Sequence, residues 1–132
     1  MKILIADDDG IVRALVTRVA EYDSHDAVTA EDGRQALELL EREDPDLLIT
    51  DLRMPQLDGF GLIDAVRSSD RYRHLPIICL SSVNDRGDIE SLIEKGISDY
   101  VLKPVRTGDL SERIRAVTFR ERHWKSLRHV SA

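Results

Sequence analysis

The sequence is poor in cysteine, proline and aromatic residues, and it has no long apolar run. Its single cysteine, Cys79, excludes an internal disulfide and lies in the apolar run "LPIICL", which favours a buried structural thiol. No run approaches the roughly 18 apolar residues of a membrane span. The N-terminus also lacks the pattern of a secretory signal peptide. These absences lead us to expect a cytoplasmic protein with no membrane partner.

Composition places the chain among single globular domains. It has 132 residues, of which 42% are hydrophobic and 33% are charged, so a packed core is expected and disorder is not. The net charge of −6 is uneven, with a balance of +4 from residue 110 onward and −10 before it. Because the body of the chain is acidic, we expect no direct nucleic-acid binding by this domain.

Short apolar runs alternate along the chain with segments of helical periodicity. The predicted strands are "KILIA" (2–6), "DAVTA" (26–30), "DLLIT" (46–50), "PIICLS" (76–81) and "DYVLK" (99–103). The predicted helices cover 12–19, "GRQALELLERE" (33–43), "GFGLIDAVRSS" (59–69), 88–95 and a segment that begins after "VRTGD" (105–109). The alternation predicts an α/β fold, a doubly wound five-stranded parallel sheet with five helices and the flavodoxin-like order 2-1-3-4-5.

Polar side chains follow the strands that meet at one edge of this sheet. Aspartates fill positions 7–9 after the first strand, and Asp51 ends the third; Ser81 and Ser82 end the fourth, and Lys103 ends the fifth. Strands 1 and 3 would be neighbours about 5 Å apart, so the acidic triplet would face Asp51. Clustered carboxylates suit Mg²⁺, and a lysine with a hydroxyl suits a phosphoryl group.

Four segments together resemble the receiver domain of two-component response regulators. They are "ILIADDD", "DLLITDLRMPQLDG", "IICLSS" and "DYVLKP", in the order and approximate spacing of that family. The resemblance covers residues 1–118, and it leaves 119–132 as an extension of the fifth helix, a linker or a tail. It implies a phosphoacceptor that assists its own phosphotransfer and dephosphorylation, and not an enzyme in the usual sense.

The resemblance assigns roles to the acidic residues. Asp51 matches the phosphoacceptor, which takes a phosphoryl group from a phosphohistidine. Asp8 and Asp51 match direct Mg²⁺ ligands, with the backbone carbonyl of Arg53 as a third and Asp7 acting through water. Mn²⁺ is the expected substitute ion. The remaining aspartate, Asp9, is predicted to cap the first helix.

The resemblance also implies a switch. Ser81 matches the hydroxyl that binds a phosphoryl oxygen, and Lys103 matches the lysine that pairs with the phosphoryl group. The bond from Lys103 to Pro104 is cis in typical members. Tyr100 matches an aromatic residue that turns inward when the hydroxyl moves.

Three positions beside the site are expected to tune its rates. Arg53 and Val83 occupy positions that set the dephosphorylation rate in this family. Ser82 departs from the alanine or glycine of most receivers, and its hydroxyl narrows the predicted crevice.

The implied partners are a sensor histidine kinase or phosphotransfer protein, and an output domain or effector. The expected contact face consists of the fourth helix, fifth strand and fifth helix, and it could also support a homodimer. We expect the fifth helix to run on through "RAVTFRERHWKSLRHV" (115–130), with Trp124, Leu127 and Val130 exposed. Such an extension is a linker, a dimerising helix or the tail of a single-domain regulator.

Two alternatives start from the same residues. Asp7-x-Asp9-Gly-Ile resembles the first motif of haloacid-dehalogenase-like phosphohydrolases, with Asp7 as nucleophile. No acidic pair follows Lys103 on a further strand, however, and Asp51 would then be unexplained. The second alternative is a degenerate receiver that acts only as an interaction module.

Overall fold

Five strands alternate with five α-helices in the part of the chain that the structure describes. A computed structural model gives residues 1–82 and 87–129; Val83 and Val130, both named above, lie outside these ranges. In chain order the elements are β1 (Lys2–Ala6), α1 (Gly10–Tyr22), β2 (Asp26–Ala30), α2 (Gly33–Glu43), β3 (Leu47–Asp51), α3 (Gly59–Ser68), β4 (Ile77–Ser81), α4 (Ile89–Glu94), β5 (Asp99–Leu102), α5 (Thr107–Glu121) and a C-terminal 3₁₀ helix (Trp124–His129).

The strands form one parallel sheet in the order β2-β1-β3-β4-β5, which confirms the predicted flavodoxin-like topology. Every residue of β3 and β4 is buried, as expected for apolar strands covered by helices on both faces. In the register, Ile5 of β1 lies opposite Ile49 of β3, and Asp51 lies opposite Leu80 of β4. The carboxyl ends of β1, β3 and β4 are therefore brought side by side.

Two hydrophobic clusters cover the two faces of the sheet. One packs α2, α3 and α4 against the sheet side chains Leu4, Ala6, Leu48, Ile77 and Cys79. The other packs α1 and α5 against Ile3, Ile5, Leu47, Ile49, Ile78, Leu80 and Val101. The Cys79 thiol is buried as predicted, and burial raises its pKa to about 12. No helix within the described residues is long and apolar enough to cross a bilayer.

Aspartates begin three of the helices. The Asp9 carboxylate accepts hydrogen bonds from the backbone N–H groups of Ile11 and Val12, so the predicted cap of α1 is confirmed. Asp32 and Asp58 cap α2 and α3 in the same way. Each cap satisfies backbone donors that have no partner inside the helix.

The prediction of a continuous fifth helix with an exposed tryptophan is wrong. α5 ends at Glu121, and the chain then turns into the 3₁₀ helix. Trp124 is only 5% exposed and packs into the core, with its indole N–H donating to the Asp46 carbonyl (3.1 Å), whereas Leu127 is 41% exposed. A sequence pattern that is compatible with a helix carries no information about docking against a distant loop. For this reason the pattern predicted a longer helix than the one observed.

Candidate functional site

The first component of the site is the buried carboxylate of Asp7, directly after β1. Its backbone N–H continues the ladder to β2 by donating to Ala30 (3.1 Å), which fixes where the side chain emerges. Oδ1 accepts the backbone N–H of Asp9 at 2.9 Å, and the Arg13 guanidinium donates to the Asp7 carbonyl at 2.7 Å. Asp7 is 0% exposed, and these hydrogen bonds fix both its backbone and its carboxylate. No sequence pattern indicates that Arg13 contacts Asp7.

Asp51 and Lys103 complete the centre of the site. Asp51 ends β3, is 6% exposed, and accepts the backbone N–H of Leu52 through Oδ1 at 2.8 Å. The Lys103 Nζ lies 3.1 Å from Oδ2 of Asp7 and 3.3 Å from Oδ2 of Asp51. One ammonium therefore bridges the two buried carboxylates, and the predicted convergence of these three residues is found.

The two charged partners shift each other's titration. Burial, together with the charge of Asp7, raises the pKa of Asp51 above its usual value despite the opposing effect of Lys103. Burial opposes the charged form of Lys103, but its hydrogen bond to Asp7 and the charges of both aspartates outweigh that effect. The pKa of Lys103 is consequently raised. The site holds excess negative charge that one lysine does not fully compensate.

Asp7, Asp8 and Asp51 form a group suited to a cation. Each offers one carboxylate oxygen, and the three oxygens lie within 4.8 Å of one another. Asp8 is exposed, whereas the other two are buried, so the group opens toward solvent on one side. An all-oxygen donor set with an open side fits Mg²⁺, which keeps several waters when it binds.

Ser81, at the end of β4, lies in sheet order between Asp51 and Lys103. It is buried, and its hydroxyl has no hydrogen-bond partner among residues 1–82 and 87–129. The backbone N–H of Lys103 donates to the Ser81 carbonyl at 2.7 Å, and the bond from Lys103 to Pro104 is cis, as the resemblance implies. Tyr100 lies half-buried in β5 against the cluster under α3 and α4.

Arg53 connects the loop after β3 to the start of α4. Its guanidinium pairs with Asp88 at 3.1 Å and lies over the ring of Phe60, 5.3 Å from the ring centre. No motif or periodicity in the sequence indicates this pair. Ser82 is half-buried beside the site, and the rate-tuning prediction for Val83 falls on a residue outside the described ranges.

The five-stranded doubly wound sheet, with an acidic crevice and a lysine at its carboxyl edge, places the chain in the class of flavodoxin-like α/β domains. The sequence profile of the family described as "Response regulator receiver domain" matches residues 3–115, and the chain belongs to this family. Because the chain belongs to the receiver family, the alternative of a haloacid-dehalogenase-like phosphohydrolase is excluded.

Individual relatives agree with this assignment. The transcriptional regulatory protein AfsQ1 of Streptomyces coelicolor is 41% identical over 115 residues, which cover 87% of this chain and 49% of the relative. A probable transcriptional regulator, ycf27, of Guillardia theta is 39% identical over 116 residues, which cover 88% of this chain and 44% of that relative. This chain thus spans about half the length of such relatives.

Solved structures agree as well. A putative response regulator from Chloroflexus aurantiacus superposes with a TM-score of 0.83 at 30% identity, covering 88% of this chain and 95% of that one. The response regulator receiver domain protein from Clostridium thermocellum gives a TM-score of 0.84 at 26% identity, and the match covers 92% of this chain and 96% of that one.

Proposed function

We propose that this chain is the Mg²⁺-dependent phosphoacceptor switch of a two-component phosphorelay, with Asp51 as the residue that is phosphorylated. The observation that carries the proposal is the position of the Lys103 ammonium, 3.1 Å from Asp7 and 3.3 Å from Asp51. This ammonium lies beside the carboxylates of Asp7, Asp8 and Asp51, which are open to solvent on one side. It can therefore offset the negative charge of a phosphoryl group that binds at Asp51.

Asp8, Asp51 and the Arg53 carbonyl would hold the Mg²⁺, with Asp7 acting through water; Mn²⁺ is the expected substitute. When bound, the ion supplies charge neutralisation for phosphoryl oxygens. The excess negative charge of the buried carboxylates is what a divalent cation would relieve.

The transfer itself needs few protein groups. An Asp51 oxygen attacks phosphorus in line with the P–N bond of a kinase phosphohistidine. That bond breaks, and its electron pair leaves with the imidazole nitrogen, giving an aspartyl phosphate. Lys103 pairs with the phosphoryl oxygens, and Ser81 has a buried hydroxyl with no other hydrogen-bond partner in the described ranges. Hydrolysis by water returns the carboxylate and releases inorganic phosphate.

The output is proposed to pass through the face of α4, β5 and α5. Ser81 would engage the phosphoryl group, and Tyr100 would turn inward, changing that face for an output domain, an effector or a second copy of the chain. Because relatives that are transcriptional regulators are about twice as long, a cytoplasmic regulator with a further domain fits the proposal. A sensor histidine kinase or phosphotransfer protein is proposed as the phosphodonor, because the chain belongs to the response regulator receiver family.

The test is labelling with a small phosphodonor in the presence and absence of Mg²⁺, read by intact-protein mass. We expect one added phosphoryl group, dependent on Mg²⁺, that is absent in Asp51→Asn. Asp9→Asn is the matched control, since asparagine also caps a helix and Asp9 serves α1 rather than Lys103. A native chain that takes no label under any donor supports the interaction-module alternative instead.

A further inference from the structure

α5 ends without a stop signal in the chain. The residue after its last turn, Arg122, keeps right-handed helical angles (φ −59°, ψ −15°). Helices often end at a left-handed glycine or shortly before a proline. Neither residue type occurs in this sequence after Gly108. Local preference therefore favours continuing the helix beyond Glu121.

The segment that follows has an unusual conformation. Trp124–His129 form a 3₁₀ helix of six residues. Such helices rarely exceed three or four residues, because their hydrogen-bond geometry is poorer than that of an α-helix. Contacts with the rest of the fold must hold this segment, which we call the C-terminal clasp (residues 122–129).

The clasp is attached to the loop between α2 and β3. The Trp124 indole donates to the Asp46 carbonyl, and the Lys125 ammonium lies 2.9 Å from the Asp46 carboxylate. Arg128 donates to the Asp44 carboxylate at 2.6 Å. These contacts lower the pKa of Asp44 to about 2, chiefly through the hydrogen bond from Arg128.

Stacking adds to the ionic contacts. The Arg128 guanidinium lies over the ring of Trp124 (4.8 Å to its centre) and over the ring of the buried Tyr72 (5.4 Å). Ionic contacts of this kind near the surface are individually weak. The clasp is thus held against a local preference for α-helix by the buried Trp124 side chain and by several weaker contacts near the surface. Docking and helix extension therefore compete for the same residues.

We propose that residues 122–129 are a two-position element: docked on the α2–β3 loop as the C-terminal clasp, or undocked and continuous with α5 as a longer α-helix. In the docked position the chain leaves the domain at the amino edge of the sheet, beside Asp46. In the extended position it leaves along the axis of α5, and Trp124 faces solvent. The inference does not depend on phosphorylation of Asp51.

The first test removes an ionic anchor. Asp44 ends α2 at φ +48°, a conformation that asparagine also tolerates, so Asp44→Asn changes the charge without straining the backbone. We expect the docked-to-extended ratio to fall about fivefold, as for the loss of the ionic contacts that one carboxylate makes near the surface. Arg71→Gln is the matched control, since Arg71 also pairs with Asp44 (3.5 Å) but lies outside the clasp.

The second test adds Lys125→Gln and Arg128→Gln to Asp44→Asn, so that no ionic contact to Asp44 or Asp46 remains from the clasp. Acrylamide quenching of the sole tryptophan reports docking, and Cα chemical shifts of 122–129 report helix. Stronger quenching together with α-helical shifts supports the proposal. Unchanged quenching in this combined variant, or quenching with coil-like shifts, overturns it.

A glycine at the junction separates helix extension from simple fraying. His123→Gly penalises a continuous helix but keeps the carbonyl that accepts from Ser126. Added to the combined variant, it should return Trp124 toward its shielded state. If the glycine instead leaves quenching unchanged, the undocked segment is not helical and the proposal is wrong.

Discussion

Lys103 reaches Asp51 across the full width of the intervening strand. Lys103 follows β5, Asp51 ends β3, and β4 lies between them, yet Nζ and Oδ2 are 3.3 Å apart. A side chain with four methylene groups can span this gap, and the same ammonium also pairs with Asp7. The lysine thus lies where its ammonium would compete with a metal cation for the two carboxylates and would pair with a phosphoryl group carried by Asp51.

Replacing this lysine should separate metal binding from phosphotransfer. In Lys103→Gln we expect Mg²⁺ to bind about tenfold more tightly, because a positive charge that competes for Asp7 and Asp51 is gone. Labelling by a phosphodonor should fall strongly, since the ammonium that pairs with the phosphoryl oxygens is then missing and Mg²⁺ alone offsets their charge. Isothermal titration calorimetry gives the first quantity and intact mass the second.

Lys95→Gln is the matched control for that change. Lys95 pairs with the Asp64 carboxylate at 2.6 Å on another part of the surface, so neither quantity should move. Weaker Mg²⁺ binding in Lys103→Gln would contradict the competition between lysine and metal.

The raised pKa of Asp51 predicts a pH-dependent gain in stability for Asp51→Asn without Mg²⁺. The pKa of Asp51 is higher in the folded protein than in the unfolded chain. At pH values between the two, the folded protein binds more protons than the unfolded chain, so the free energy of unfolding falls as pH rises through this range. Asparagine does not titrate. The variant should be more stable by on the order of 1 kcal/mol near neutral pH, and the gain should vanish below the unfolded value of about 3.9. Urea unfolding across pH measures it; a gain that grows toward acid contradicts the sign.

Gly59 is required by a close backbone approach. A Cβ there would lie 2.7 Å from the Leu52 Cα and closer still to the carbonyl oxygen of Asp51. Gly59→Ala should therefore destabilise the fold by about 2 kcal/mol or more. Gly108→Ala is the control, because nothing lies within 4 Å of its Cβ and alanine favours helix. Equal unfolding midpoints for the two variants would contradict the packing argument.

Trp124 should contribute to stability as a core residue. Trp124→Ala should cost about 3 kcal/mol. Leu127→Ala, at a 41% exposed position of the same 3₁₀ helix, should cost less than about 1 kcal/mol. Chemical unfolding of both variants measures the difference, and similar small costs would place Trp124 outside the core.

The sequence carried enough information for the sheet and the acidic crevice. β-branched and apolar runs specify buried strands, and their alternation with helical segments leaves one common strand order. Asp7, Asp51 and Lys103 were predictable as neighbours because Asp51 ends a strand and the other two directly follow one, and strand ends at one edge of a parallel sheet lie together.

Contacts between distant surface elements were not predictable in the same way. The pairing of Arg53 with Asp88, and of Arg128 with Asp44, joins residues 35 and 84 positions apart through flexible side chains. No periodicity encodes such pairs. The sequence after Glu121 does favour a helix locally, but burial of Trp124 in the core and its hydrogen bond to the Asp46 carbonyl outweigh that preference.

Chemical mapping of the phosphorylated residue decides whether Asp51 is the phosphoacceptor. The chain is labelled with a phosphodonor and Mg²⁺, reduced with borohydride, which converts an aspartyl phosphate into homoserine, and digested for peptide sequencing by mass spectrometry. We expect homoserine at position 51 and an unmodified aspartate at position 7. Homoserine at position 7, or label on a residue that borohydride leaves unchanged, would contradict this expectation.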